Sequence, residues 1–131
     1  MDRLDACFQI MDKHNMHRKL LLLDSCSTVN LFADPSLVHG IHKANRPLMV
    51  KTYGGVKSTD QKAYVGRFPE PVWYDPTGVA NVMALASVQK HYRVTFDSAK
   101  GNTFVVHLPA GEPLRFTQTT HGLYALSLIH I

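Results

Sequence analysis

Cysteine is scarce in this chain, with only Cys7 and Cys26 among 131 residues. Two residues allow one bridge at most and exclude a disulfide scaffold, so both are read as free thiols in a reducing compartment. Long apolar runs are absent as well. The longest obvious one is the four leucines at 20–23, far short of the ~20 residues a membrane helix needs. The opening Met1-Asp2-Arg3-Leu4-Asp5 carries two early acids and no apolar stretch behind them, so no secretory signal is expected. Nor is there a block of like charge. Fourteen Lys and Arg against ten Asp and Glu leave +4, and the cations stand singly along the sequence. That balance permits nucleic-acid contact without demanding it. No internal repeat, low-complexity tract or flexible linker divides the chain. What remains, 45% hydrophobic and 18% charged, is the composition of one globular domain, able to bury roughly two-thirds of its unfolded surface.

The first 18 residues are polar, with Lys13, His14, Asn15, His17 and Arg18 close together, and read as a leader ahead of the fold. From Lys19 onward the pattern is mostly β. The leucines at 20–23 are too few for a helix and suit a strand buried on both faces. Asp24, Ser25, Cys26 and Ser27 interrupt them, and apolar character resumes at 29–32. Asp34-Pro35 reads as an N-cap and first helical residue, with Gly40 as the stop of a helix of about two turns. Residues 48–53, then Gly54-Gly55, then Val56 onward form a hairpin signature, because paired glycines supply the positive φ of a tight turn. Residues 63–68 and 72–74 are two further strand-like runs. Val79, Val82, Met83 and Ala86 recur at helical spacing and predict the one clear helix. The clearest β alternation follows, with Tyr92, Val94 and Phe96 on one face. Residues 98–101 turn the chain, Phe104, Val106 and Leu108 form the matching face, and 110–113 turn it again into Leu114 and Phe116.

Asp24 is the sharpest chemical feature. A carboxylate at the end of an apolar strand has to be paired, hydrogen-bonded, exposed at the strand end, or functional. From spacing alone the favoured reading is a turn-forming Asp beside Ser25. Other residues offer less. Cys7, His14 and His17 are soft ligands without a fourth at zinc spacing, so no metal is expected. His39 and His42 would share one side of the short helix. Gly54-Gly55 begins no phosphate loop, since no Gly-Lys-Ser/Thr follows, and no cofactor is implied. Trp73 and Tyr74 are expected in core packing.

The segment Leu21-Leu22-Leu23-Asp24-Ser25-Cys26-Ser27-Thr28-Val29 resembles the active-site signature of retroviral-type aspartic proteases, in which an apolar strand delivers Asp-Thr/Ser-Gly into a tight loop. The wider pattern is similar to the protease segment of copia-type retrotransposon Gag-Pol polyproteins, in particular a divergent branch frequent in algal genomes. Val72-Trp73-Tyr74-Asp75-Pro76 resembles the family's apolar strand before its helix. Asn81-Val82-Met83-Ala84-Leu85-Ala86-Ser87-Val88 is similar to its Asn-Leu-Leu-Ser-Val helix. Tyr92-Arg93-Val94-Thr95-Phe96-Asp97 and Gly122-Leu123-Tyr124-Ala125-Leu126 resemble hairpins leading towards the pre-integrase region. The likeness spans about residues 19–126 and rests on the order of several short motifs.

The resemblance implies a homodimer in which one Asp24 from each subunit meets on a two-fold axis. Two carboxylates held ~3 Å apart share one proton. One acts as general base on the attacking water while the other protonates the substrate carbonyl. Ser25 matches the hydroxyl residue that ties the two loops together, and Ser27 completes the active-site loop. Gly54 and Gly55 fall in the hairpin that folds over substrate as a flap. Cys26 stands where the family has glycine, so a side chain is expected to crowd the axis or the substrate.

The sequence therefore predicts an all-β, retropepsin-like closed barrel with one clear and one minor short helix. A polar leader at 1–18 would precede a protease domain at 19–97 and a β-hairpin extension at 98–131. The run 127–131 resembles a translated sequencing adapter, so that extension is expected to be truncated. The implied function is an aspartic endopeptidase that processes its own polyprotein, in an intracellular, cytoplasmic setting that includes virus-like particles, with no membrane partner. Two alternatives stand beside it: a catalytically degenerate module of the same fold, and a nucleic-acid-binding β-barrel.

Overall fold

A computed structural model describes residues 20–52, 55–78 and 80–127. The polar leader, with Cys7, His14 and His17, lies outside the described residues, as do Gly54 and the run 128–131.

The first strand, β1 (Leu20–Asp24), has Leu21, Leu22 and Leu23 all buried. Successive strand side chains point to opposite faces, so a strand at the centre of a two-layered core must be apolar at every position. Leu22 packs with Leu31, Ala80, Val82 and Leu123 on one face. Leu21 and Leu23 pack with Phe32, Val72, Met83, Val88, Val106 and Phe116 on the other. Burying one such side chain fully is worth about 1.5–3 kcal/mol, so this strand anchors both layers.

The remaining strands are β2 (Leu31–Phe32), β3 (His39–Thr52), β4 (Gly55–Tyr64), β5 (Val72–Tyr74), β6 (Asn81–Ala84), β7 (Arg93–Phe96), β8 (Thr103–His107), β9 (Leu114–Gln118) and β10 (Tyr124–Ser127). They form one sheet in the order β3-β4-β5-β2-β6-β1-β10-β9-β8-β7. Two pairings are parallel: β1 with β6 and β2 with β5. The all-β expectation holds. The closed barrel does not, because the outer strands β3 and β7 are the two ends of the order and do not pair with each other. β3 is poorly suited to closure. It carries Pro47, which lacks a ladder donor, and two register irregularities flanking Lys43.

Both helix expectations need correction. Residues 81–84, placed in the clear helix, are strand β6, and the helix α1 covers only Leu85–Gln89. β6 lies between β1 and β2, so all four of its residues are buried and its pattern shows no alternation. Periodicity cannot separate such a strand from a buried helix. The minor helix is a single 3-10 turn, Pro35–Leu37, capped by Asp34 as expected. Gly40 does not end it. At φ +64 it sits inside β3, where the Tyr64 ring lies 3.0 Å from the position of a Cβ.

The hairpin reading of 92–108 is matched strand for strand. Val94 faces Val106, Phe96 faces Phe104, and Phe104 faces Phe116 in turn. The ring centroids of Phe96 and Phe104 are 4.6 Å apart. The boundary drawn at 97/98 falls between paired strands, and β10 returns to pair with β1, so residues 20–127 build a single sheet.

Candidate active site

Asp24 is the last residue of β1, lies opposite Ala84 of β6, and is 2% exposed. By strand alternation its side chain shares the face of Leu22. Oδ1 accepts the backbone amide of Cys26 at 2.9 Å, an aspartate folding the chain back on itself two residues later. Ser25 and Cys26 form the turn and are both exposed, with Oγ and Sγ 3.9 Å apart. Ser27 is buried, and its hydroxyl donates to the Val29 carbonyl at 2.9 Å while accepting the Val29 amide at 3.0 Å. The small polar residues of 25–28 thus close a tight loop by local hydrogen bonds and hold a buried carboxylate at its root.

Two asparagines fix that loop to the sheet, and sequence reasoning gave neither of them this part. Asn30 Oδ1 accepts the amide of Ala84, the residue beside Asp24, at 2.7 Å. Asn81 is fully buried. Its Oδ1 accepts the amides of Ala33 and Asp34, each at 3.0 Å, and its Nδ2 donates to the Leu20 carbonyl at 3.1 Å. A polar residue inside the apolar run 80–84 was the available signal, because burial without partners costs several kcal/mol.

Of the other carboxylates, Asp34 and Asp75 hold turns. Asp34 Oδ1 accepts Ser36 N and Oγ, and Asp75 Oδ1 accepts Thr77 N and Oγ1. Among the described residues no group of three or more His, Cys, Asp or Glu is placed to hold a metal ion. His39 and His42 lie in β3 instead of on a helix, and both imidazoles stack on Tyr64.

The two strands of the glycine hairpin pair with each other as expected, but Gly55 belongs to β4 and not to the turn: it pairs with Thr52, with φ +116 and open space where a side chain would go. The strands reach further than the sequence suggested, back to His39 and on to Tyr64. In the sheet order this hairpin is separated from β1 by β5, β2 and β6. A gap of about 20 Å³ lies between hairpin and core, lined by Leu31, Leu48, Val50, Thr59 and Gly78 among others. The larger cavity, about 600 Å³, is lined by Leu21, Phe32, Met83 and Phe116 among others; it belongs to the face opposite Leu22 and does not include Asp24.

No family model, curated protein or solved structure matches this chain. Among the described residues no helix is long and apolar enough to cross a membrane.

Proposed function

We propose that this chain is a retropepsin-like aspartic endopeptidase of a copia-type retrotransposon polyprotein, active as a homodimer with one Asp24 from each subunit. The observation that carries the reading is the buried carboxylate of Asp24, delivered by an all-leucine strand into a loop whose Cys26 amide it accepts at 2.9 Å. A carboxylate held in this way by backbone, at the root of an exposed dipeptide, is oriented before substrate arrives. In the dimer the two carboxylates share a proton. One takes a proton from the attacking water while the other donates to the carbonyl oxygen of the scissile peptide. The long β3–β4 hairpin supplies the flap, with Gly55 in the rung nearest its tip.

The Cys26 substitution is compatible with this use of the loop. The family's glycine contributes its backbone amide, and Cys26 still donates that amide to Asp24 while its thiol stands in solvent. The same exposed thiol favours a second reading. If a partner loop has to approach this turn, the side chain stands in its way, and the chain would then be a retired protease fold acting as an interaction module. Cleavage of the chain's own polyprotein by wild type but not by Asp24→Asn separates the two.

A further inference from the structure

The cavity of about 600 Å³ has no part in the chemistry assigned to Asp24. Protein interiors are close-packed, with few voids larger than a water molecule. Sites that take small organic molecules occupy about 300–1,000 Å³, and this cavity falls within that range. Its walls are apolar. Leu21 of β1, Met83 of β6, Val88 of α1, Val106 of β8 and Phe116 of β9 all line it and are all buried. Phe68 and Tyr92 add aromatic rings at one corner. That corner is held in place by its own contacts. The Phe68 amide donates to the Val65 carbonyl at 2.9 Å and closes a turn. The Phe68 ring meets His91 edge-on, with centroids 5.3 Å apart, and lies 6.2 Å from Tyr92.

The charge of the lining has one sign. It contains Arg67 and His91 and no acid. His91 is already engaged, since its Nε2 lies 2.7 Å from the Glu70 carboxylate, which is outside the lining. Arg67 is not. Among the described residues its guanidinium has no partner, and neither has the Tyr92 hydroxyl. Arg67 is also exposed, so this cation stands where the cavity meets solvent.

An apolar body suits the walls, and an anionic head suits the guanidinium at the mouth. The surface of a folded partner would not reach side chains that the fold itself buries, whereas a slender hydrocarbon chain would. We propose that this cavity binds an amphipathic small molecule of the long-chain monocarboxylate type. Its tail lies against Met83, Val88 and Phe116, and its carboxylate pairs with Arg67. The site lies on the face of the sheet opposite Leu22 and does not depend on the Asp24 carboxylate.

The test is a titration of the full chain, carrying ¹³C at its methionine methyls, with decanoate kept below its micelle threshold. Met83 lines the cavity, whereas Met49 is exposed on the β3–β4 hairpin. Met83→Leu and Met49→Leu assign the two signals. Decanoate should shift the Met83 signal saturably and leave the Met49 signal in place. Decanol should bind about tenfold more weakly, because it cannot make a charge-assisted bond to Arg67. Decyltrimethylammonium should bind more weakly than decanol, and acetate, which has no tail, should not shift Met83. Arg67→Gln should lower decanoate affinity about tenfold and leave decanol affinity unchanged. Arg115→Gln makes the same charge change on β9, outside the lining, and should leave decanoate affinity intact. Circular dichroism checks that each variant is folded. No shift of Met83, equal affinity for the anionic and cationic amphiphiles, or decanoate affinity unchanged in Arg67→Gln would overturn the proposal. A Met83 signal that moves as the chain dimerises, with decanoate excluded, would give the cavity to a second copy and overturn it as well.

Discussion

Asn30 and Ala84 are joined by a hydrogen bond of 2.7 Å from the Ala84 amide to the Asn30 carboxamide oxygen. Ala84 is the residue that faces Asp24 across β1 and β6, so this bond ties the loop leaving Asp24 to the strand beside it. Asn81 does the same work one turn of the sheet away, bridging β1 through Leu20 and the exit of β2 through Ala33 and Asp34. The strands and the loop that carry the carboxylate are thus held together by these two side chains.

Removing those side chains should cost stability in proportion to the backbone groups left unpaired. Asn30→Ala orphans one buried amide and should lower unfolding free energy by about 2 kcal/mol. Asn81→Ala removes three hydrogen bonds, from the amides of Ala33 and Asp34 and to the Leu20 carbonyl, and should cost about 3 kcal/mol or more. Urea denaturation measures both. A midpoint unchanged in Asn81→Ala would mean that these bonds do not organise the core.

Cys26 provides a direct report on the environment of the loop. Its thiol is exposed, so in a Cys7→Ser background it should react with a thiol reagent in the folded protein at a rate close to that of the unfolded chain. If the loop lies on a two-fold axis, that rate should fall as protein concentration rises. Reactivity independent of concentration in a sample shown to be dimeric would place the interface elsewhere. Cys26→Gly should raise cleavage activity by removing the side chain at the axis. An equal or lower rate in a folded Cys26→Gly dimer would show the thiol to be accommodated.

Gly40 and Gly66 both have positive φ, +64 and +48, but only Gly40 has a neighbour where a Cβ would stand. Gly66→Ala should therefore cost only the left-handed backbone term of about 1 kcal/mol. Gly40→Ala should cost more, because the Tyr64 ring must also move. Thermal unfolding of the two variants side by side decides this, and equal losses would show that Tyr64 is not held against Gly40.

How much of this was legible depended on where each segment lies in the sheet. The 93–107 hairpin was readable because apolar and polar side chains alternate there, and Phe96 meets Phe104 as the pattern implies. Residues 20–24 were readable because four leucines are too few for a helix. Residues 81–84 were not, since β6 is covered on both faces and Val82 and Met83 look alike to any periodicity. The first half of β3 was hidden by Gly40 and Pro47, which normally break regular structure. Both are accommodated because β3 is an edge strand with irregular register. For the candidate site, Asp24 and its turn could be read from local sequence. The supports could not, since Asn30 reaches a partner 54 residues away along the chain and Asn81 reaches partners 47 to 61 residues away.

The most direct measurement is processing of a polyprotein fragment that spans this domain, wild type beside Asp24→Asn, between about pH 4 and pH 7. Asparagine keeps an oxygen that can accept the Cys26 amide, so the variant should fold and dimerise like wild type. The account predicts defined cleavage products from wild type and none from Asp24→Asn. Processing that persists in Asp24→Asn, or its absence from a folded, dimeric wild type, would contradict it.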